Sequence, residues 1–101
     1  MDVKVRALHG GEGAIVRRDS PAMKAAFGAY TRGFGREPVF VRAGGSIPVV
    51  ATLSRILGIE TILMGFGLPD DRLHAPNEKL HLPNFYRGIE TVLHFVELLG
   101  R

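Results

Sequence analysis

A chain of 101 residues with 46% hydrophobic and 23% charged residues has the length and composition of one globular domain, which excludes a disordered chain. It contains no cysteine, so we expect no disulfide framework, and a metal ion would have to be held by His, Asp or Glu. The net charge of +3 is spread over scattered arginines, and no apolar run reaches the roughly 20 residues of a membrane span, so neither nucleic acid nor a membrane is an expected partner.

The first half of the chain is predicted to alternate strands and helices. Residues 3–8 alternate apolar and charged side chains, as a strand with one buried face does, and residues 14–16 fit a short second strand. Ser20 is placed to cap a helix whose apolar residues recur at helical spacing up to the glycines of residues 33–35. Residues 38–42 then form a short apolar strand.

The second half continues this alternation. Ser46 is placed to cap a helix over residues 47–57, and residues 60–64 are predicted to form a buried strand. Residues 65–82 form a long loop rich in Gly, Pro, Asp and Asn, a length that is typical of functional loops. A last helix begins near Pro83. One face of this helix carries Phe85, Ile89, Val92, Leu93, Val96 and Leu99. The Met and aromatic residues of this helix and of the first helix are expected to be core.

Strands that alternate with helices predict an α/β fold with a layered sheet. The strand at residues 3–8 has no evident partner strand in the chain. An unpaired strand indicates that a neighbouring strand is missing, so we expect the chain to be a fragment of a larger domain.

His74 is the first candidate for chemistry, because it lies in the long loop beside Asp70, Asp71 and Glu78. Imidazole is a common zinc ligand, and open α/β sheets bind ligands in the loops that follow their strands. A single loop histidine is more often an exposed surface residue, and the neighbouring carboxylates could orient an imidazole without completing a site of three ligands. Both interpretations stay open on these residues alone. No role is assigned to the other histidines, which are His9, His81 and His94.

The glycine turn at residues 44–46 is the second candidate. It leads into a helix N-terminus, where backbone N–H groups and the Ser46 hydroxyl could bind an anion, and glycines allow close approach of a ligand. An ordinary turn with Ser46 as the helix cap explains the same residues equally well. The Gly-Lys-Ser/Thr ending of a phosphate-binding loop is absent.

Two motifs, RAGGSIP at residues 42–48 and GFGLPDDRLHAPNE at residues 65–78, together resemble the signatures of one family. It is the zinc-dependent exopeptidase and amidohydrolase family of carboxypeptidase G, acetylornithine deacetylase, succinyl-diaminopimelate desuccinylase and the carnosine-type dipeptidases. The Gly-Gly-Ser-Ile-Pro form is most similar to the dipeptidase branch. The resemblance extends over essentially the whole chain.

The resemblance implies a domain plan and a set of roles. Residues 1–17 would be the end of a lid domain that dimerises, and residues 18–101 would be the C-terminal half of a mixed-sheet catalytic domain. His74 would bind one of two zinc ions, and Glu78 would be an acid close to that ligand. Gly45 and Ser46 would hold the terminal carboxylate of a substrate.

The family's remaining catalytic groups, a His-x-Asp pair and a Glu-Glu pair, do not occur in the sequence, so no catalytic residue is assigned. We therefore expect a C-terminal fragment of a dinuclear zinc metallopeptidase that hydrolyses dipeptides or N-acyl amino acids with a free carboxylate and is inactive alone. The alternative is a non-catalytic dimerisation or fragment-complementation module, whose partner is a second copy or a complementary N-terminal half. The first residues lack the apolar stretch of a signal peptide, so the expected location is the cytoplasm.

Overall fold

The computed structural model of the protein describes residues 1–8, 10, 13–42 and 47–101. The described residues form helices α1 at Pro21–Phe34, α2 at Pro48–Leu57 and α3 at Leu82–Leu99. All three helices were predicted, within one residue of their observed starts. In the described ranges no helix is long and apolar enough to cross a membrane.

The chain divides into two compact units. The first contains α2 and comprises Met1–Val16 and Val41–Thr61. The second contains α1 and α3 and comprises Arg17–Phe40 and Ile62–Arg101. The second unit therefore contains His74 and the whole of its loop.

Local sequence signals determine where α1 begins and ends. The Ser20 hydroxyl accepts a hydrogen bond of 3.1 Å from the backbone N–H of Met23, and Pro21 takes the first helical position. Both features satisfy or remove N–H groups that would otherwise lack partners in the first turn. At the other end Gly35 adopts a left-handed φ of 70°, and its N–H donates to the carbonyl of Thr31. The predicted cap and stop of α1 are confirmed.

Helix α2 ends as predicted but begins differently. Gly58 has a left-handed φ of 64° and donates its N–H to the carbonyl of Ser54, which closes the helix. The N-cap position is Ile47, whose side chain makes no capping bond, so the prediction that Ser46 is the N-cap residue is wrong. Ser46 itself lies outside the described residues.

Helices α1 and α3 pack through small residues. On α1 the buried residues are Ala25, Ala26 and Ala29, and on α3 they are Gly88 and Thr91. A Cβ placed on Gly33 of α1 would collide with the Thr91 hydroxyl oxygen and would lie 3.2 Å from the Cα atom of Thr91. The two helices are therefore as close as their backbones allow.

The prediction that the aromatic residues of α3 are core is wrong for Phe85, which is 46% exposed, and for Tyr86, which is 61% exposed. The six apolar residues that the sequence placed on one face of α3, named here the α3 apolar face, are all exposed, from 45% at Val92 to 66% at Leu93. The buried small residues give α3 its contact with α1, because they permit a close approach. The α3 apolar face consists of Phe85, Ile89, Val92, Leu93, Val96 and Leu99.

The segments predicted as strands do not pair with one another in the described part of the chain. They are residues 3–8, 14–16, 38–42 and 60–64. A strand is stable only when neighbouring strands take up its N–H and C=O groups, and no such neighbours are present among the described residues. The mixed sheet therefore remains a prediction.

Candidate functional site

The loop at residues 65–81, named here the His74 loop, starts at an aromatic anchor. The Phe66 ring lies 5.4 Å from the ring of Tyr30 and 6.0 Å from the ring of Phe34, both on α1. On the α3 side, Asn84 Nδ2 donates a hydrogen bond of 3.1 Å to the Phe66 carbonyl. A Cβ on Gly88 would lie 3.0 Å from the same ring, so glycine provides the space for it. Phe66 thus holds the start of the loop between the two helices.

Tyr30 adds a polar contact next to this anchor. Its hydroxyl donates a hydrogen bond of 2.9 Å to the carbonyl of Gly65. Burial raises the pKa of Tyr30, which keeps the phenol protonated and able to donate at neutral pH. The start of the His74 loop is therefore bound to α1 by a hydrogen bond as well as by ring packing.

Asp71 is the buried acid of the loop, with only 2% of its surface exposed. Its Oδ2 accepts a hydrogen bond of 2.8 Å from the backbone N–H of Leu68, and its backbone carbonyl accepts one of 3.0 Å from the N–H of Lys79. Its Oδ1 is buried without a hydrogen-bond partner among the described residues, and the Lys79 ammonium nitrogen lies 4.0 Å from it. Asp71 therefore connects the two ends of the His74 loop.

Asp70, the neighbouring acid, faces solvent. Lys79 Nζ donates a hydrogen bond of 2.9 Å to Asp70 Oδ2, which lowers the pKa of Asp70 and raises the pKa of Lys79. Both side chains are exposed, so water screens their attraction and the pair contributes little to stability.

His74 lies between these contacts, exposed to solvent, with a left-handed φ of 61°. Arg72 and Asn77 also have positive φ values, of 57° and 61°. A non-glycine residue in this region costs on the order of 1 kcal/mol or more, and such conformations persist where the surrounding structure imposes them. The loop therefore presents the His74 imidazole on a strained backbone.

Of the other predicted site residues, only Glu78 belongs to the part of the chain that the structure describes. Glu78 is exposed in the same loop, while Gly45 and Ser46, the proposed carboxylate-binding residues, lie outside the described residues. Nowhere in the described ranges do three or more His, Asp or Glu side chains come together to hold a metal ion. These residues alone do not fit a zinc centre, because catalytic zinc needs about three protein ligands.

Two of the remaining histidines, His81 and His94, belong to α3 or its start. His81 is the N-cap residue of α3, and His94 is half-buried on α3 with its Nδ1 3.8 Å from Glu97 Oε2. His9 lies outside the described residues.

An open apolar cavity of about 520 Å3 lies along α3. It is lined by Phe66, Gly67 and Leu80 of the His74 loop and by Gly88 with four members of the α3 apolar face. Its lining offers few groups that could bind a charged dipeptide. The cavity has the character of a packing surface, since it continues the exposed apolar side of the helix.

Comparison with known proteins gives a family match over residues 2–98, to the peptidase family M20/M25/M40. The chain is 43% identical over 72 residues to the Cys-Gly metallodipeptidase dug1 of Schizosaccharomyces pombe, which covers 71% of this chain and 15% of that protein. It is 32% identical over 98 residues to the Cys-Gly metallodipeptidase DUG1 of Candida albicans, covering 97% of this chain and 20% of the relative. The human Beta-Ala-His dipeptidase is 31% identical over 81 residues, which are 80% of this chain and 16% of that protein.

The fold is similar to a solved structure of the di-peptidase Dug1p from Saccharomyces cerevisiae, with a TM-score of 0.83 and 32% identity. That match covers 87% of this chain and 18% of the larger chain. The chain thus spans no more than about a fifth of the length of the relatives named here. Because the family match extends over nearly all of its residues, the chain belongs to the peptidase family M20/M25/M40.

Proposed function

We propose that the chain is the C-terminal part of a dinuclear zinc metallopeptidase that hydrolyses dipeptides or N-acyl amino acids with a free carboxylate. The observation that carries this proposal is the match of residues 2–98 to a peptidase family, in a chain whose strained loop presents an exposed histidine. The relatives are dipeptidases, two of them described as metallodipeptidases, which supports an amide bond as the target.

In this proposal His74 supplies one zinc ligand, with Glu78 as a nearby acid, and Gly45 and Ser46 bind the substrate carboxylate. The other zinc ligands and the catalytic base come from residues outside this chain, because the sequence contains neither the His-x-Asp pair nor the Glu-Glu pair that the family uses. The chain is therefore inactive alone. A single exposed imidazole binds zinc weakly and leaves no positioned base to activate water.

The domain plan follows from the same proposal. Residues 1–17 are the end of a lid domain, and residues 18–101 are the C-terminal half of a catalytic domain that contains a mixed sheet. The location of the protein in this proposal is the cytoplasm. The exposed, alternating segment at residues 3–8 supports this plan, since it has the pattern of a strand without a neighbour. The similarity to part of a much larger peptidase chain supports it as well.

A second candidate function is a non-catalytic dimerisation or fragment-complementation module. The exposed α3 apolar face and its cavity favour it, because contiguous apolar surface of this kind marks interfaces. Covering several hundred Å2 of apolar surface stabilises a complex by on the order of 10 kcal/mol, at about 25 cal/mol per Å2, before the costs of association. The partner would be a complementary N-terminal half or a second copy.

Hydrolysis assays on the isolated chain test the first proposal. With zinc added, we expect no release of amino acids from Cys-Gly or from β-Ala-His above background, for the wild type and for His74→Ala alike. Zinc-dependent turnover by the chain alone that disappears in His74→Ala would contradict a fragment that lacks its base and ligands.

Sedimentation at micromolar concentration tests the second candidate. We expect the wild-type chain to self-associate or to bind a complementary half, and Leu93→Glu, in the α3 apolar face, to weaken that association. Asp70→Asn is a matched control on the solvent side of the His74 loop. A compact wild-type monomer with a cooperative melt, which binds no complementary half, would contradict the module.

A further inference from the structure

Asp71 has an environment that sets it apart from the other acids near His74. Its carboxylate is buried, whereas Asp70 and Glu78 are exposed. The inference rests on the proposed role of His74 as a zinc ligand, because a ligand whose backbone is already held in one conformation loses less conformational entropy when the metal binds. We propose that Asp71, and not Glu78, is the positioning residue that holds His74 in that conformation.

Two hydrogen bonds place Asp71 at the neck of the loop. The Leu68 N–H donates to its side chain at 2.8 Å, and the Lys79 N–H donates to its backbone carbonyl at 3.0 Å. The bond between Asp71 and Lys79 closes the segment of residues 72–78, which includes His74. The aromatic anchor at Phe66 lies earlier in the same loop and contacts both α1 and α3.

The conformation between these contacts needs such support. Three non-glycine residues of the closed segment have positive φ, namely Arg72, His74 and Asn77. Inside the segment one further hydrogen bond, from the Ala75 N–H to the Arg72 carbonyl at 3.1 Å, supports the turn. Left-handed residues persist where their surroundings over-determine them, and the ties at Asp71 supply that constraint.

The surroundings of the carboxylate fit this role. A Cβ on Gly67 would lie 3.2 Å from Asp71 Oδ2, so the glycine leaves room for the buried group. The positively charged Lys79 ammonium lies 4.0 Å from Asp71 Oδ1 and so partly balances the negative charge of the carboxylate. A carboxylate that accepts a backbone N–H makes a stronger bond than a neutral acceptor would.

Nuclear magnetic resonance on the 101-residue chain tests the proposal without metal or substrate. The first readout is the strong intraresidue cross-peak between the Hα and amide proton of His74 that a positive φ produces. The second is the hydrogen exchange of the Leu68 amide, and the third is the spectrum of α1 and α3 as a report on the fold.

In Asp71→Ala we expect the His74 signature to disappear and Leu68 amide exchange to accelerate by about tenfold or more, with α1 and α3 unchanged. Asp71→Asn keeps an oxygen that can accept from Leu68 and should retain the signature. A role in general stability alone would alter α1 and α3 and leave His74 unchanged. Glu78→Gln, the matched control, should behave as the wild type.

Retention of the His74 signature in Asp71→Ala, or its loss in Glu78→Gln, would overturn the proposal. If Asp71→Ala does not fold, hydrogen exchange of the Leu68 amide in the wild type decides. Slow exchange of this amide supports its hydrogen bond to the Asp71 carboxylate, whereas exchange as fast as in a free peptide overturns the proposal. Because no zinc is present, failure here is distinct from failure of the proposed metal site.

Discussion

Alanine at two glycines of the same helix should change stability in opposite directions. At Gly33 a Cβ would collide with the Thr91 hydroxyl oxygen and lie 3.1 Å from the Thr91 Cβ, in a residue with no exposed surface. At Gly28 the Cβ would lie 3.2 Å from Leu98 Cδ1, the end of a flexible side chain that can move aside. Gly28→Ala is therefore the matched control for Gly33→Ala.

The expected magnitudes follow from these contacts. Replacing Gly by Ala inside a helix gains up to about 1 kcal/mol in helix propensity, so Gly28→Ala should stabilise the chain by about 0.5–1 kcal/mol. Gly33 is the second-last residue of α1, so the gain in helix propensity from alanine is smaller there. Overpacking of the new methyl group against α3 costs about 1–3 kcal/mol. The net loss for Gly33→Ala should be about 1–2 kcal/mol. At about 4–8 °C per kcal/mol for a domain of this size, the melting temperatures of the two variants should differ by roughly 10 °C.

Thermal melts followed by helical circular dichroism measure this difference. Thr91→Ala removes the colliding oxygen, so the double variant with Gly33→Ala should recover part of the loss and show a favourable coupling. A Gly33→Ala variant as stable as Gly28→Ala would show that α1 and α3 do not approach each other as closely as described.

Two further substitutions test the support and the strain of the His74 loop. Tyr30→Phe removes the hydrogen bond to the Gly65 carbonyl and should cost about 0.5 kcal/mol by chemical denaturation at pH 7. Because burial raises the pKa of Tyr30 above its ordinary value of 10.0, the contribution of this hydrogen bond is complete below that pH and is lost as the pH rises through the higher folded value. A wild type whose margin over Tyr30→Phe is already lost below pH 10.0 would contradict this. His74→Gly relieves a left-handed φ of 61° and should raise stability by up to about 1 kcal/mol, whereas a loss on the same melt would mean that the backbone is not strained there.

Helix boundaries were predictable because their signals are local. Ser20 bonds within its own first turn, and Gly35 and Gly58 adopt the left-handed φ that ends their helices. The strands were not found among the described residues, because a strand depends on partners elsewhere in the chain or beyond it. Phe85 and Tyr86 were misassigned to the core because a sequence shows which residues are apolar and not which side of a helix packs, and the buried residues of α3 are Gly88 and Thr91.

In the candidate site, too, the sequence indicated some residues and missed the importance of another. The motif at residues 65–78 identified the family and pointed to His74. It did not single out Asp71 among the acids that could orient the imidazole, although an Asp-Asp pair after Pro69 in a turn-rich loop was a signal that one acid could bond the backbone. Which of the two acids is buried could not be read from the sequence, because burial depends on how the loop folds: Asp71 is 2% exposed, whereas Asp70 faces solvent.

The role of His74 in a complete peptidase is tested most directly by a chimera. This chain would replace the matching 18% of Dug1p from Saccharomyces cerevisiae, so that no association between separate fragments is needed. Cys-Gly hydrolysis would be measured with and without zinc, alongside the bound zinc content. We predict zinc-dependent hydrolysis that falls by more than about a hundredfold in His74→Ala, with less zinc bound. A folded chimera that hydrolyses Cys-Gly equally fast with His74→Ala would contradict the assignment of His74 as a zinc ligand.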